Sequence, residues 1–446
     1  MSSGQIGEIE GTLAIDNGRG IGGPNRWRHF VVYSFVTIAF ISRLIDGFVA
    51  RIHLVDSALI GTLFLLILSA RRVVVPLSWT VCILSLYIGA MIGLVTPDLQ
   101  TNFAVMPIIL TYRSIGEFIV AVVYESRYII AMGLFLGCGI RFTTKQRERL
   151  VTFMLLLLTV NAIFSIIEYV VPSIHEALMK HAGYVSHYSF VYRGVSLLLN
   201  AYDASISMVF LVALCAYRWI ISRQLRYVAI ICIGAVATLL LGTRSGYIAL
   251  LGYGIWLSLT SRASVGRRLA RAAGTLVVVL FVFAVLAIED RMFQRILISI
   301  VLLSDSKGSA QLHVKLFFHT ISMIAAHPFG VGLGKTNFGA LISGLSYEPE
   351  SYALSLGLDG GLVALGCFYY YNIKIFRNMQ KSNQHGSFAI ASLGLTLLSL
   401  SWINMQVFGS SFVMTFLPII AAGFISTEER GAKSVDSEGS AVQFTV

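Results

Sequence analysis

The chain has 446 residues, of which 56% are hydrophobic and only 12% are charged, and its net charge is +11. A soluble globular domain is about one-quarter charged, so this composition excludes an ordinary soluble fold and indicates a polytopic membrane protein. In a soluble protein the positive charge would suggest nucleic-acid binding. Here the basic residues form short clusters between apolar stretches, as cytoplasmic loops do, and we expect no nucleic-acid partner.

Apolar segments recur along the chain, and a helix that crosses a bilayer needs about 20 such residues. Basic clusters separate these segments at 71–72, 141–149, 218–226, 262–271 and 374–381. Placing every cluster in the cytoplasm predicts about twelve spans, at 31–49, 54–70, 73–96, 118–140, 151–172, 195–217, 227–242, 245–260, 272–288, 351–373, 387–405 and 409–426. The predicted fold class is therefore all-α, a polytopic transmembrane helical bundle.

One long polar segment divides this predicted bundle. We expect a disordered cytoplasmic leader at 1–30, nine spans within 31–288, a large and partly helical periplasmic loop at 289–350, three spans within 351–426 and a cytoplasmic tail at 427–446. The segment 98–117 is apolar but short and interrupted by proline. We interpret it as re-entrant or interfacial, because a full crossing would move the cluster at 141–149 to the outside.

The outer loops of this topology collect the polar chemistry of the chain. They hold seven of the nine histidines and several arginines outside the basic clusters, which predicts a site on the outer membrane face. The five cysteines lie in apolar segments without a CxxC or Cys/His ligand spacing, so neither a disulfide framework nor a zinc site is indicated. We expect no metal and no other cofactor.

Four arginines are candidates for binding phosphate oxygens, because the guanidinium fork stays charged and fits them well. Arg244 lies in a junction between two apolar helices, and Arg193 ends a loop rich in aromatic residues and histidine. Arg291 and Arg295 are spaced i, i+4 and would share one helix face. Each has a simpler alternative role, as a snorkelling anchor, in an aromatic belt or against lipid headgroups.

The large loop offers further candidates near its end. Glycines at 330, 332 and 334 predict tight turns after His327, and Lys335 follows them. His313 lies earlier in the loop. Glu350 opens the tenth predicted span, where it is either a capping charge or a general base in a partly dry site.

Taken in order, four motifs of the chain resemble those of the O-antigen polymerase and O-antigen ligase superfamily. They are RGVSLLLNAY at 193–202, LGTRSGYIAL at 241–250, HPFGVGLGKTNF at 327–338 and ESYALSLGLDGGLVAL at 350–365. Singly these motifs are weak, but their order and spacing are fairly specific. The resemblance covers about residues 190–370 by motif and the remainder by layout alone.

The resemblance implies a membrane glycosyltransferase of the GT-C type in the bacterial inner membrane, with its active site facing the periplasm. Its donor and acceptor would be undecaprenyl-diphosphate-linked oligosaccharides. Arg193 and Arg244 would hold the diphosphate, and Arg291 and Arg295 are further candidates for this role. The predicted catalytic residues are Glu350, as the acid/base residue, and Arg244. His313, His327 and Lys335 remain other loop candidates. A chain-length co-polymerase and a flippase are possible protein partners, besides membrane lipid.

One departure from the family pattern separates two related activities. Ligases usually carry His and Asn where this chain has Glu350 and Ser351. That difference favours a polymerase that extends an O-antigen or exopolysaccharide over a ligase that transfers glycan to lipid A core. A flippase or other transporter is the alternative from a different class, although the candidate groups gather on one face instead of along a two-sided path.

Overall fold

The computed structural model describes much of the bundle. The described residues are 12–16, 31–38, 72–95, 99–103, 106–110, 126–136, 144–181, 194–261, 264–274, 309–332, 351–381, 386–403, 406–409 and 411–424, with isolated positions at 40, 61–62, 64–65, 67, 142 and 277. The predicted spans 54–70 and 272–288 fall mostly outside them, as do the two ends of the large loop.

Helices dominate these residues, as the sequence predicted. They are α1 Leu77–Val95, α2 Ser126–Leu136, α3 Thr144–Val170, α4 Pro172–His181, α5 Ala201–Ser222, α6 Leu225–Leu240, α7 Arg244–Thr260, α8 Ser309–Ala326, α9 Tyr352–Lys381, α10 Ser387–Leu400, α11 Gln406–Gly409 and α12 Ser411–Phe424. Further helical residues lie at 31–38 and 265–274.

Three of these helices, α3, α5 and α9, are both long and apolar enough to cross a membrane. Several shorter apolar helices accompany them, among them α2, α6, α10 and parts of α1, α8 and α12. The chain is therefore a multi-pass helical membrane protein, while the number of about twelve spans and the sidedness of the loops stay predictions.

Two small antiparallel ribbons are added to the helices. Strand β1 (Thr12–Asp16) pairs with β2 (Arg72–Pro76), with Ala14 opposite Val74. Five residues of the leader that we expected to be disordered are thus extended and paired, and the predicted span 73–96 becomes helical only at Leu77. Strands β3 (Leu99–Phe103) and β4 (Met106–Leu110) form a hairpin within the segment interpreted as re-entrant or interfacial.

Helix α5 is the centre of the bundle. Nearly every side chain from Ala201 to Tyr217 is buried, and α5 packs against α3, α6, α7, α10 and α12. Its start is defined by Asn200, whose side chain accepts hydrogen bonds from the N–H groups of Tyr202 and Asp203 at 2.9 and 3.3 Å. A helix that is apolar on all sides can be buried in this way. Two of the turns described below pack against this central helix.

A second apolar cluster joins α8 to α9. It comprises Leu316, Met323, Ile324, Val331, Leu354 and Leu358. Helix α8 belongs to the segment predicted as a periplasmic loop, so part of that loop packs directly on the first turns of α9 instead of standing apart from the bundle.

Candidate functional site

The α6–α7 junction carries one of the predicted arginines. Gly242 has a φ of 68°, a left-handed conformation that glycine adopts without strain. The carbonyl of Thr243 then accepts hydrogen bonds from Gly246 N–H and Tyr247 N–H at 3.1 and 3.3 Å. This turn makes Arg244 the first residue of α7, so the backbone places it at the very end of a helix.

Small residues let this junction approach α5 closely. The hydroxyl groups of Ser205 and Thr243 are hydrogen-bonded. A Cβ atom added to Gly246 would lie 2.8 Å from Ser205 Cβ, which is closer than real Cβ contacts. The glycine of the Thr-Arg-Ser-Gly sequence is therefore needed for close packing against α5, whatever the chemical role of the arginine.

The segment that follows Arg193 meets this junction. Gly194 N–H donates to the carbonyl of Leu241 at 3.2 Å, and both residues are buried. Leu241 lies three residues before Arg244 along the chain. Two motifs separated by nearly fifty residues in the sequence are thereby joined at their backbones.

A buried carboxylate holds the next two residues in place. Glu168, in the last turn of α3, is fully buried. It accepts hydrogen bonds from Val195 N–H at 3.0 Å and Ser196 N–H at 2.8 Å. His175 Nδ1 lies 2.9 Å from the same carboxylate. A carboxylate that is satisfied by backbone donors is far less costly to bury than a bare one.

This carboxylate stabilises an unusual backbone. Ser196 has a φ of 53° and Leu199 a φ of 50°, and a left-handed residue other than glycine costs about 1–2 kcal/mol. The strain lies directly after the Arg193–Gly194 motif. Glu168 therefore fixes the conformation of the segment that follows a predicted phosphate-binding arginine.

A chain of hydroxyl and amide groups extends from Ser196 into the bundle. Ser196 Oγ donates to Asn161 Oδ1 at 2.7 Å, and Ser165 Oγ donates to Ser196 Oγ at 2.8 Å. Asn161 Nδ2 donates to Ser207 Oγ at 3.0 Å. All four residues are buried, so the network ties α3 to α5 beneath the turn.

The glycine turn of the large loop interlocks with a break in α9. Gly361 has φ 82° and ψ 172°, which interrupts the helix. In a continuous helix the carbonyl of Leu358 would accept from Leu362 N–H. Here Leu358 O accepts from Val331 N–H at 2.8 Å, and Leu362 N–H donates to Pro328 O at 2.9 Å. The turn replaces the missing helical partners, as buried backbone groups require.

Both glycines of this interlock are needed for steric reasons. A Cβ on Gly361 would lie 2.6 Å from the carbonyl carbon of Phe329, and one on Gly330 would lie 2.5 Å from Asp359 O. Gly330 and Gly332 also have positive φ angles of 89° and 125°, as expected for the predicted turns. The HPFGVG and GLDGG motifs are thus two halves of one structural contact.

The start of α9 lies at the same end of the bundle as the Arg244 junction. Ser351 Oγ accepts from Leu354 N–H at 3.2 Å, which caps the helix, and Ala353 N–H donates to the carbonyl of Ser401 at 3.0 Å. Ser401 follows α10, which packs antiparallel to α7. The contact of Thr260 with Ser392 places the far end of α7 near the beginning of α10, so Arg244 and Ser351 head helices at a common end.

The predicted site residues stand as follows. Arg244 heads α7, and His313 is part of α8. His327 is half-buried and follows α8, where its N–H donates to Met323 O and its carbonyl accepts from Gly330 N–H, both at 2.9 Å. Arg193, Arg291, Arg295, Lys335 and Glu350 lie outside the described residues.

The sequence analysis did not propose Glu168 as a site residue, although the structure places it at the base of the turn that follows Arg193. A signal was present, because a carboxylate in the last turn of a helix faces the negative end of the helix dipole and needs another reason to be there. Among the residues that the structure describes, no group of three His, Cys, Asp or Glu side chains is arranged to hold a metal ion.

This arrangement is that of a membrane-embedded helical bundle in which the Gly194 segment, the Arg244 junction and the start of α9 lie at one end. Residues 228–369 match the family model described as O-antigen ligase, and this match supports the resemblance of the chain to the O-antigen ligase and polymerase superfamily. No curated protein matches the chain. The region matched by the family model runs from α6 into α9 and includes the Arg244 junction and both halves of the glycine interlock. The family implies an enzyme of the glycosyltransferase or ligase type that acts on polysaccharide at a membrane.

Proposed function

We propose that this protein is a polysaccharide polymerase that joins undecaprenyl-diphosphate-linked oligosaccharide repeat units at the periplasmic face of the bacterial inner membrane. The observation that carries the proposal is the hydrogen bond from Gly194 N–H to Leu241 O. It links the motif of Arg193 to the junction of Arg244, and the second of these motifs lies within the matched family region. Two cationic groups close together suit a diphosphate better than either alone.

In the proposed reaction a hydroxyl group of the acceptor glycan attacks the anomeric carbon of the donor. The new carbon–oxygen bond forms as the bond to the diphosphate oxygen breaks, so the configuration at this carbon inverts. Glu350 takes the hydroxyl proton, and Arg244 and Arg193 neutralise the charge that grows on the departing undecaprenyl diphosphate. Positioning and charge stabilisation carry such a displacement, and the proposal includes no metal or other cofactor.

The remaining loop residues have supporting roles in this proposal. Arg291 and Arg295 would contact the diphosphate or the neighbouring lipid headgroups, and His313, His327 and Lys335 would contact the glycan. His327 also takes part in the turn that packs into the break of α9, so its replacement tests the turn as well as the site. A chain-length co-polymerase and a flippase are the proposed partner proteins.

A ligase that transfers the glycan to lipid A core is the second candidate, since the matched family model is described as O-antigen ligase. The polymerase is favoured by Glu350 and Ser351, which replace the His and Asn usual in ligases. Ser351 caps α9 through its hydroxyl group, a task that Asn performs equally well. The exchange at 351 is therefore structurally neutral, and the exchange at 350 is the one that bears on chemistry.

The test is polysaccharide length in a deletion host that carries wild-type protein, Arg244→Ala, Glu350→Ala or Arg226→Ala. Arg226 is an exposed arginine at the beginning of α6, away from the junction, and serves as the matched control. Protein amount in the membrane is measured by immunoblot for every variant. We expect wild type and Arg226→Ala to restore long chains, and Arg244→Ala and Glu350→Ala to leave single repeats on the lipid carrier.

Other outcomes contradict the proposal in distinct ways. If long chains form without the protein but stay on the carrier, the protein is a ligase. If single repeats never reach the periplasm without it, the protein is a flippase. If Arg244→Ala and Glu350→Ala both restore long chains at normal protein amounts, the proposed site is wrong.

A further inference from the structure

A cleft opens at the other end of the bundle, where α3 begins and α5 ends. Its volume is about 540 Å³. Three of its lining residues are cationic, Lys145, Arg149 and Arg218, and one is acidic, Glu148. Glu168 lies twenty residues further along the same helix, about 30 Å away at 1.5 Å per residue. The cleft is therefore separate from the turns of the candidate site.

The single acidic group of the cleft is already engaged. Glu148 Oε2 is paired with Arg218 Nη1, and Tyr217 OH donates to Oε1 at 2.5 Å. Arg147 Nε lies 3.8 Å from the same carboxylate. The negative charge of Glu148 is thus matched by neighbouring guanidinium groups. Among the described residues that line the cleft, no carboxylate other than Glu148 is present to offset the charges of Lys145 and Arg149.

These two cations are exposed and share one face of α3. They are spaced i, i+4, so their side chains lie one helical turn apart. Thr152, Phe153 and Leu156 continue the lining of the cleft along the same face. A negative group placed between Lys145 and Arg149 would meet donors from both side chains.

An exposed apolar stripe runs from the cleft along the same helix face. Its members recur every three or four residues and are Leu156, Val160, Ile163 and Ile167, with exposed fractions of 62%, 48%, 46% and 40%. Such a stripe on a spanning helix is the surface that faces acyl chains. The surface therefore has two cations at one end, and a continuous row of exposed apolar side chains extends from them along the helix.

We propose that this surface is a binding site for an anionic glycerophospholipid. The phosphate would lie between Lys145 and Arg149, and one acyl chain would follow the stripe from Leu156 to Ile167. Charge complementarity selects an anionic headgroup, because basic residues near a membrane surface attract anionic lipids. The continuity of cleft and stripe selects a lipid over a free anion.

The experiment is a lipid titration of purified full-length protein in a neutral detergent, followed by native mass spectrometry. The probes are phosphatidylglycerol, phosphatidylcholine and inorganic phosphate. Lys145→Gln/Arg149→Gln is compared with Arg223→Gln/Arg226→Gln, which removes the same charge from exposed arginines at the end of α5 and the beginning of α6. We expect wild type and the control to bind phosphatidylglycerol in preference to phosphatidylcholine, and the cleft variant to bind it at least about tenfold more weakly.

Leu156→Ser tests the acyl-chain contact in the same assay. We expect it to weaken phosphatidylglycerol binding while the preference over phosphatidylcholine is kept. Equal binding by the cleft variant and the control would overturn the proposal, as would equal affinity for the two lipids. Displacement of the lipid by inorganic phosphate at equal concentration would identify a free-anion site instead. Unfolding midpoints of all variants are measured to confirm that each is folded.

Discussion

Helix α3 carries two glutamates whose environments differ completely. Glu148, near its beginning, is a quarter exposed and is paired with Arg218 and Tyr217 of α5. Glu168, in its last turn, is fully buried and accepts hydrogen bonds from the backbone of the Val195–Ser196 turn. The first carboxylate joins two helices through side chains, whereas the second determines the path of a loop.

From this difference we infer that Glu148 contributes to stability alone, whereas Glu168 also contributes to function. A side-chain pair at a partly exposed position contributes little, and water can replace either partner. A buried carboxylate that satisfies backbone N–H groups cannot be replaced by water, and its loss leaves those donors without partners. We therefore expect the two glutamates to differ in the size of the effect and in its kind.

The largest effect is expected for Glu168→Ala. It leaves two backbone donors unsatisfied in a buried site, which costs about 3 kcal/mol, and it releases the strained Ser196 turn. We expect long polysaccharide chains to disappear in the complemented deletion host and the unfolding midpoint in detergent to fall.

Glu168→Gln separates the two effects of that change. The amide oxygen still accepts one hydrogen bond, so we expect folding to be largely restored and chain synthesis to be restored only in part. Normal chain synthesis in a folded Glu168→Ala protein would refute the idea that this turn positions the site.

A smaller loss is expected for Gly361→Ala at the break in α9. The new Cβ meets the Phe329 backbone at 2.6 Å, and the φ of 82° is unfavourable for alanine by about 1–2 kcal/mol. The HPFGVG turn must then move away from α9. We expect protection of the amides of Val331 and Gly332 from hydrogen exchange to fall, together with chain length.

Gly366→Ala is the matched control for that helix. A Cβ at Gly366 would meet no atom within 4 Å, and alanine favours helix over glycine by about 1 kcal/mol. We expect this variant to be neutral or slightly more stable. If Gly361→Ala behaves in the same way, the interlock of the two motifs is unimportant.

The sequence predicted these elements unevenly. The starts of α6 and α7 lie close to those of the predicted spans 227–242 and 245–260, because apolar runs and the polar turns between them are local signals. Helix α5 begins only at Ala201, inside the predicted span 195–217. The predicted span 73–96 differs at its start, where residues 72–76 pair with the leader. A pairing partner more than fifty residues away leaves no trace in local composition.

The candidate site shows the same limit. Family motifs pointed to Arg244 and to the glycines at 330 and 361, and Gly330 and Gly361 prove to be two sides of one contact. Glu168 was visible as an acid near a helix end, but its partners lie 27 and 28 residues further on. Its role depends on a left-handed Ser196, a conformation that the residue type itself does not predict.

Glu148→Gln is expected to have a small effect, and it tests the partly exposed glutamate at the beginning of α3. The ion pair with Arg218 is lost, but the amide oxygen still accepts from Tyr217, and a pair at a quarter-exposed position is worth about 1 kcal/mol or less. We expect the unfolding midpoint to fall slightly and chain length to stay that of wild type. A loss of long chains at normal protein amounts would show that the two ends of α3 are coupled.

The smallest effect is expected at the helix cap before α9. Ser351→Ala removes the hydroxyl group that accepts from Leu354 N–H, which costs about 1 kcal/mol, while Ser351→Asn keeps an acceptor at the same position. We expect the alanine variant to lower the unfolding midpoint slightly and the asparagine variant to match wild type. Because ligases usually carry Asn here, an asparagine variant that keeps full chain length would leave residue 350 as the chemically meaningful difference between the two activities. A variant that shifts the product from free polymer to glycan on lipid A core would instead assign that choice to residue 351.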